Sequence, residues 1–229
     1  MMRKLILVVL VLHAIYMDSN SQSVQQADSG IKTEKAKYLN GDLNKILSTN
    51  AKYSETEMVN GTQGDVVFSF QISSNGKLEN LAVNNSSDNS LLNSAKMAIY
   101  LLDGEWSPTK LNDVPTDQKY LIAFRFRIYM GTSPYDYKGQ GKKLVEKQKY
   151  EKALKNFNIG IEDNKYDCEL YELRSKVKEL LGDVDGAKKD QVYALNLKDE
   201  IMSIIDITVI GVRSIVKLGG TITASPSYR

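Results

Sequence analysis

A chain of 229 residues, 42% of them hydrophobic, can bury at least one core, and its 30 basic against 28 acidic residues exclude any bulk attraction to polyanions. A lone Cys, Cys168, excludes an internal disulfide, and four Pro exclude a long proline-rich spacer.

The N-terminus reads as a secretory signal over residues 1–21: Arg3 and Lys4, an apolar run from Leu5 to Met17, then small residues at Ser19 and Ser21 that suit cleavage before Gln22. As a helix the run is about 20 Å long, short of the ~30 Å hydrocarbon core of a membrane. No Cys follows it to accept a lipid. Removing this segment leaves 28 basic against 27 acidic residues and takes away the only histidine, His13. Imidazole acid/base chemistry and His-bearing metal sites go with it, and no cofactor or metal is expected.

Residues 22–35 read as a polar leader. Over Ile31–Asn50 the apolar spacing is helical but gappy. Asp65–Ile72 alternates, with Val66, Phe68, Phe70 and Ile72 on one face, and predicts a half-buried strand. Asn75-Gly76 then suits a tight turn into a second strand carrying Leu78, Leu81 and Val83. Ser90 can cap a helix over Leu91–Leu102, stopped by Asp103-Gly104. The clearest alternation runs from Tyr120 to Tyr129: Tyr120, Ile122, Phe124, Phe126 and Ile128 against Leu121, Ala123, Arg125 and Arg127. The order β, β, α, β predicts a small antiparallel sheet covered by one helix, an α+β unit over residues 36–132.

From Tyr137 the pattern turns helical, with a 34-residue echo: Tyr137 and Tyr171, Gly141 and Ser175, Tyr150 and Val184, Ala153 and Ala187, Gly160 and Ala194. Two helical hairpins are expected over residues 137–200. Residues 201–218 carry Ile201, Ile204, Ile205, Thr208, Val212 and Ile215 at helical intervals and are read as a capping helix, although their β-branched content suits a strand as well. Residues 219–229 form a tail.

The block from Gly64 to Ile128 resembles the TonB C-terminal domain family, through Gly64, the first strand, the Asn-Gly turn, Ser86-Ser87, the Leu/Ala-rich helix, Trp106-x-Pro108 and the closing strand ending Phe-x-Phe. Tyr53 is followed by Ser54 where the family usually has Pro. The stretch Leu170–Leu197 resembles a tetratricopeptide repeat through Leu170, Tyr171, Arg174, Lys178, Leu181, Gly182, Asp183, Gly186, Ala187, Asp190, Ala194 and Leu197.

The first resemblance implies that an edge strand pairs with an extended segment of a partner. The edge is expected at Tyr120, Ile122, Phe124, Arg125, Phe126, Arg127 and Ile128, with the two arginines selecting acidic partners. The alternative is that this strand is covered and its arginines blunt the edge. The second resemblance implies a shallow peptide-binding surface with Tyr137, Tyr171 and Tyr193, or tyrosines that only pack between helices. The lysine-rich stretch Lys138–Lys155 is read as a solvated helix face, without nucleic acid as a partner. The carboxylate pairs Glu55/Glu57 and Asp183/Asp185 read as turn residues, so no enzyme is expected.

Together these readings imply an exported protein, periplasmic or secreted, that binds another envelope protein or an extended peptide. The alternative is a TonB-type energy transducer kept in the inner membrane by its N-terminal segment, the one case in which the chain would be membrane-associated.

Overall fold

A computed structural model describes residues 32–131 and 133–211. The signal segment, most of the leader, the tail and the second half of the expected capping helix lie outside the described residues. Elements follow in the order β1 (Thr33–Glu34), β2 (Lys37–Tyr38), α1 (Leu43–Asn50), α2 (Glu55–Asn60), β3 (Gly64–Ile72), β4 (Leu78–Ser86), α3 (Asn89–Ile99) and β5 (Trp106–Ser107). They continue with β6 (Thr109–Leu111), β7 (Val114–Thr116), β8 (Gln118–Met130), α4 (Tyr137–Glu146), α5 (Tyr150–Asp163), α6 (Cys168–Leu180), α7 (Val184–Glu200) and β9 (Ile201–Gly211).

The central sheet has the order β4-β3-β8-β9. β3 pairs antiparallel with both β4 and β8, as the alternation implied. The turn closes on Gly76, at φ +72°, and has no room for a side chain there: a Cβ would meet the Trp106 carbonyl oxygen at 2.1 Å. Val66, Phe68, Phe70, Ile72, Tyr120, Ile122, Phe124 and Phe126 form one face of the sheet and are buried under α1 and α3 with Leu47, Leu91, Ala95 and Ile99. Phe68 and Phe124 meet edge to face at 6.0 Å, as do Tyr53 and Phe126 at 5.2 Å.

Local capping sets the helix starts. Asp88, two residues earlier than the expected Ser90, accepts the Ser90 amide at 2.7 Å. A short helix that the hydropathy pattern did not mark, α2, begins with a reciprocal box in which Ser54 caps Glu57 and Glu57 accepts the Ser54 amide at 2.6 Å. Of the region read as gappy helix over Ile31–Asn50, the described part, from Lys32, is two short strands followed by α1. β1 pairs with β6 and β2 with β5, so only Leu43–Asn50 is helical.

Two further expectations need correction. The sheet is not half-buried: on its second face Val67, Ala123 and Arg125 are buried too, because α7 and the end of α5 lie across it. And Ile201–Gly211 is a strand, not a capping helix. It leaves α7 directly, with Ile201 as the helix C-cap, and pairs parallel with β8 from Leu121↔Ile201 to Met130↔Gly211. Seven of its eleven residues are β-branched, which disfavours a helix. Ser203, Ile205 and Ile207 go inside while Asp206 and Thr208 stay exposed, a period of two that outweighs the coincidental helical spacing.

Between β8 and β9 the chain makes two antiparallel helical hairpins, α4–α5 and α6–α7, around a second core of Ala153, Phe157, Ile161, Leu170, Tyr171, Val177, Ala194 and Leu197. The 34-residue echo has a physical meaning. Gly141 and Ser175, Ala153 and Ala187, and Gly160 and Ala194 are all buried small residues where helices approach closely. A Cβ on Gly141 would lie 2.1 Å from the Phe157 ring.

Candidate interaction site: the closed β8 edge and the helical module

The seven residues expected to form an open edge lie on an interior strand. β8 is hydrogen-bonded to β3 on one side and, from Leu121 to Met130, to β9 on the other, so over that span its main chain is engaged within the molecule. Tyr120, Ile122, Phe124 and Phe126 are core residues. The Tyr120 hydroxyl lies 2.6 Å from Thr109 Oγ1 and accepts the Ala36 amide at 3.2 Å. Ile128 packs at the core margin, and its amide donates to Gln63 Oε1 at 2.8 Å.

The two arginines are corrected likewise: they engage acids of their own chain. Arg125, buried, donates from Nη1 to Asp206 Oδ1 at 2.6 Å and from Nη2 to Asp163 Oδ2 at 2.7 Å and the Asp163 carbonyl at 3.0 Å. Arg127 donates from Nη2 to Asp65 Oδ1 at 2.8 Å and to the same Asp163 carbonyl at 3.0 Å. Asp163 ends α5, where unpaired carbonyls concentrate partial negative charge, so the buried Arg125 and the partly buried Arg127 are well placed there. Three strands and the helical module thus meet on two side chains. Burial opposes the charge of Arg127, but Asp65 and Asp163 outweigh it and raise its pKa further. A second cation, Lys35, donates to the carbonyls of Lys198 at 2.9 Å and Ile201 at 2.6 Å and closes the α7–β9 junction.

The three tyrosines expected on the helical surface divide. Tyr171 is buried, donates to the Lys165 carbonyl at 3.2 Å, and has its phenol pushed up to about 12 chiefly by burial. Tyr137 packs against the helical core, with its ring 4.7 Å from Tyr135. Tyr193 is 46% exposed, its ring 4.6 Å from Tyr171. The structure sets Tyr171 against Tyr193, while Tyr137 packs against the same core beside Tyr135. Outside that set, Val184, Val192 and Leu195 are exposed on the side of α7 opposite its buried residues Ala187, Asp190, Ala194 and Leu197.

Three polar positions of the repeat-like stretch, Arg174, Lys178 and Asp190, hold the module together. Asp190 is buried and accepts two bonds from Arg174, at 2.8 and 2.7 Å, and lies 2.9 Å from Lys178 Nζ. Arg174 and Asp190 are 16 residues apart, on facing helices; the repeat resemblance named both, but not that they pair. Of the lysine-rich stretch, Lys138 and Lys142 pair with Glu169 at 3.0 and 2.7 Å. One member of each carboxylate pair caps a helix: Glu57 in the α2 box, and Asp183 accepting the Gly186 amide at 2.9 Å. Cys168 is partly buried, which raises its thiol pKa. Among the described residues no group of three His, Cys, Asp or Glu is placed to hold a metal ion, and no helix is long and apolar enough to cross a membrane.

Residues 49–128, a little over a third of the chain, match the family model of the Gram-negative bacterial TonB protein C-terminal. The match runs from the end of α1 to the end of β8, so the sheet β4-β3-β8 belongs to the family segment and β9 comes from beyond it. That family is non-enzymatic. Comparisons with curated proteins and with solved structures gave no match.

Proposed function

We propose that this chain is an exported protein of the bacterial envelope that serves as a protein-interaction module, its TonB-like sheet acting as the scaffold on which a two-hairpin tetratricopeptide-like surface is held. The observation that carries this reading is the closure of β8 by β9, with Arg125 and Arg127 clamping the end of α5. A sheet whose family segment ends on β8 has that edge filled from within, so docking falls to what remains exposed. On the helical module that includes Ile159, Leu180 and Leu181 and, as the longest run on one helix, the outer side of α7 with Val184, Val192 and Leu195 and the neighbouring Tyr193. Exposed aliphatics spaced along one helix side suit another protein better than they suit water.

Three supports stand beside this one. The TonB family match points to the envelope. The signal-like residues 1–21 point to export. The buried small residues at a spacing of 34 are the packing that tetratricopeptide hairpins use. The energy-transducer alternative draws little support from β8, whose outer side is paired with β9 from Leu121 to Met130.

The test is a pull-down from envelope extract of the source bacterium with the tagged full chain, its Leu195→Glu and Val192→Glu variants, and Asp113→Asn as a remote surface control. Loss of the same partner from both α7 variants, with retention in the control, is expected. Equal recovery by all four chains would overturn the assignment. N-terminal sequencing of the fractionated protein is expected to begin at Gln22; an intact Met1 in the membrane fraction would contradict export.

A further inference from the structure

The central sheet has two outer edges, and they differ in kind. β4 is irregular: its pairing with β3 slips between Val67 and Phe68 and again between Ser69 and Gln71, Asn80 sits at φ +54°, and the strand carries Glu79, Asn84 and Asn85. Such bulges and polar side chains discourage further pairing. β9 has one such slip at its start, between Leu121 and Ile122, and none beyond it. From Ile122↔Ser203 to Met130↔Gly211 its register is unbroken, it holds no Lys, Arg or Pro, and its one charge, Asp206, is bound to Arg125 at 2.6 Å.

The direction of its free main-chain groups follows from one bond. Gly131 donates its amide to the Gly211 carbonyl at 2.9 Å, and in parallel pairing such bonds recur at every second residue. Ser203, Ile205, Ile207, Val209 and Gly211 therefore bond to β8, and the N–H and C=O of Ile204, Asp206, Thr208 and Ile210 point away from it. Among the described residues no strand lies beside β9 on that side.

We propose that this outer edge of β9 pairs with the same edge of a second copy of the chain, antiparallel about a two-fold axis at Ile207, joining two four-stranded sheets. The register is chosen by charge and by main-chain geometry. Antiparallel pairing requires the outward-facing residues to oppose one another. Centring on Ile207 sets Asp206 opposite Thr208, Ile204 opposite Ile210, and Ile205 opposite Val209, so that apolar meets apolar and the carboxylate meets a hydroxyl. Centring one residue earlier sets Asp206 against Asp206, which like-charge repulsion disfavours. Thr208 and Ile210 are exposed, as this pairing needs. A self-complementary edge of this kind gives a closed, isologous dimer. The assignment is independent of which protein the helical module binds.

Sedimentation equilibrium of the full exported chain tests it, with Thr208→Pro and Ile210→Asp. Thr208 donates nothing to β8, so proline there removes an outward amide while the β8–β9 pairing stays, and a coincident far-UV spectrum checks that it does. The wild type is expected to show a monomer–dimer equilibrium, and each variant a dissociation constant at least ten-fold higher. A wild type that stays monomeric at millimolar concentration would overturn the proposal. So would a dimer equally tight in both variants, or a Thr208 amide protected from exchange in the monomer, which would mean that the edge is covered by the chain itself.

Discussion

Replacing Ile205 by alanine tests whether β9 is an integral part of the core. Ile205 is 3% exposed, stands beside Phe124 in the register and reaches the same cluster as Phe68 and Phe126. Phe124 is itself fully buried and held edge to face by Phe68, so the surroundings have little freedom to close a gap. Truncating a buried isoleucine to alanine costs about 2–5 kcal/mol, and this confined position belongs near the middle, about 3 kcal/mol. For a folded unit of this size that lowers Tm by about 6–12 °C. Ile210, on the same strand but 38% exposed, is the internal control, and its alanine variant is expected to cost under about 1 kcal/mol. Thermal unfolding followed by Trp106 fluorescence, which reports the sheet, and by far-UV ellipticity, dominated by the helices, is expected to shift together in Ile205→Ala. Equal, small shifts for Ile205→Ala and Ile210→Ala would refute the reasoning, since β9 would then be a loosely attached flap.

Three further outcomes follow from the same contacts. In urea, Asp163→Ala is expected to cost more than Asp206→Asn, because Asp163 bonds both Arg125 and Arg127 whereas the Asp206 side chain is 55% exposed and screened by water. Gly141→Ala is expected to destabilise by about 1–3 kcal/mol in a thermal melt despite alanine's better helix propensity, since its methyl meets the buried Phe157 ring. Burial alone would raise the Asp190 carboxyl pKa, but Arg174 and Lys178 outweigh it and hold the group below its usual value. Its contribution is therefore present above the unfolded pKa of about 3.9 and is lost as pH falls through the lower folded value. The urea midpoint is thus expected to fall below pH 4, and by less in Asp190→Asn.

The parts of this fold that were legible from residues alone are those fixed by neighbours in sequence. Val66 to Ile72 and Tyr120 to Ile128 show their buried face by alternation, and Gly76 marks its turn, because strand period and turn geometry are local properties. The helices α4 to α7 announced themselves through small residues at a fixed spacing. What could not be read was the seating of β9. Ile201, Ile204, Ile205 and Thr208 fit a helix face as well as a strand, and the choice is made by β8, some eighty residues earlier in the chain. That single pairing also decided the site. With β9 in place Arg125 and Arg127 look inward to Asp163 and Asp206, and the edge foreseen on β8 is closed. The strand signal in β9 was present in the alternation of Ser203, Ile205, Ile207 and Val209, but nothing local gave it precedence.

Amide hydrogen exchange along β8 addresses the closure most directly. The pairing directs the N–H groups of Arg125, Arg127 and Tyr129 at β9, so they are expected to exchange as slowly as those of Phe68 and Phe124 at the β3–β8 seam, opening only when the whole unit unfolds. Rapid exchange at those three amides, with the β3–β8 seam still protected, would contradict it.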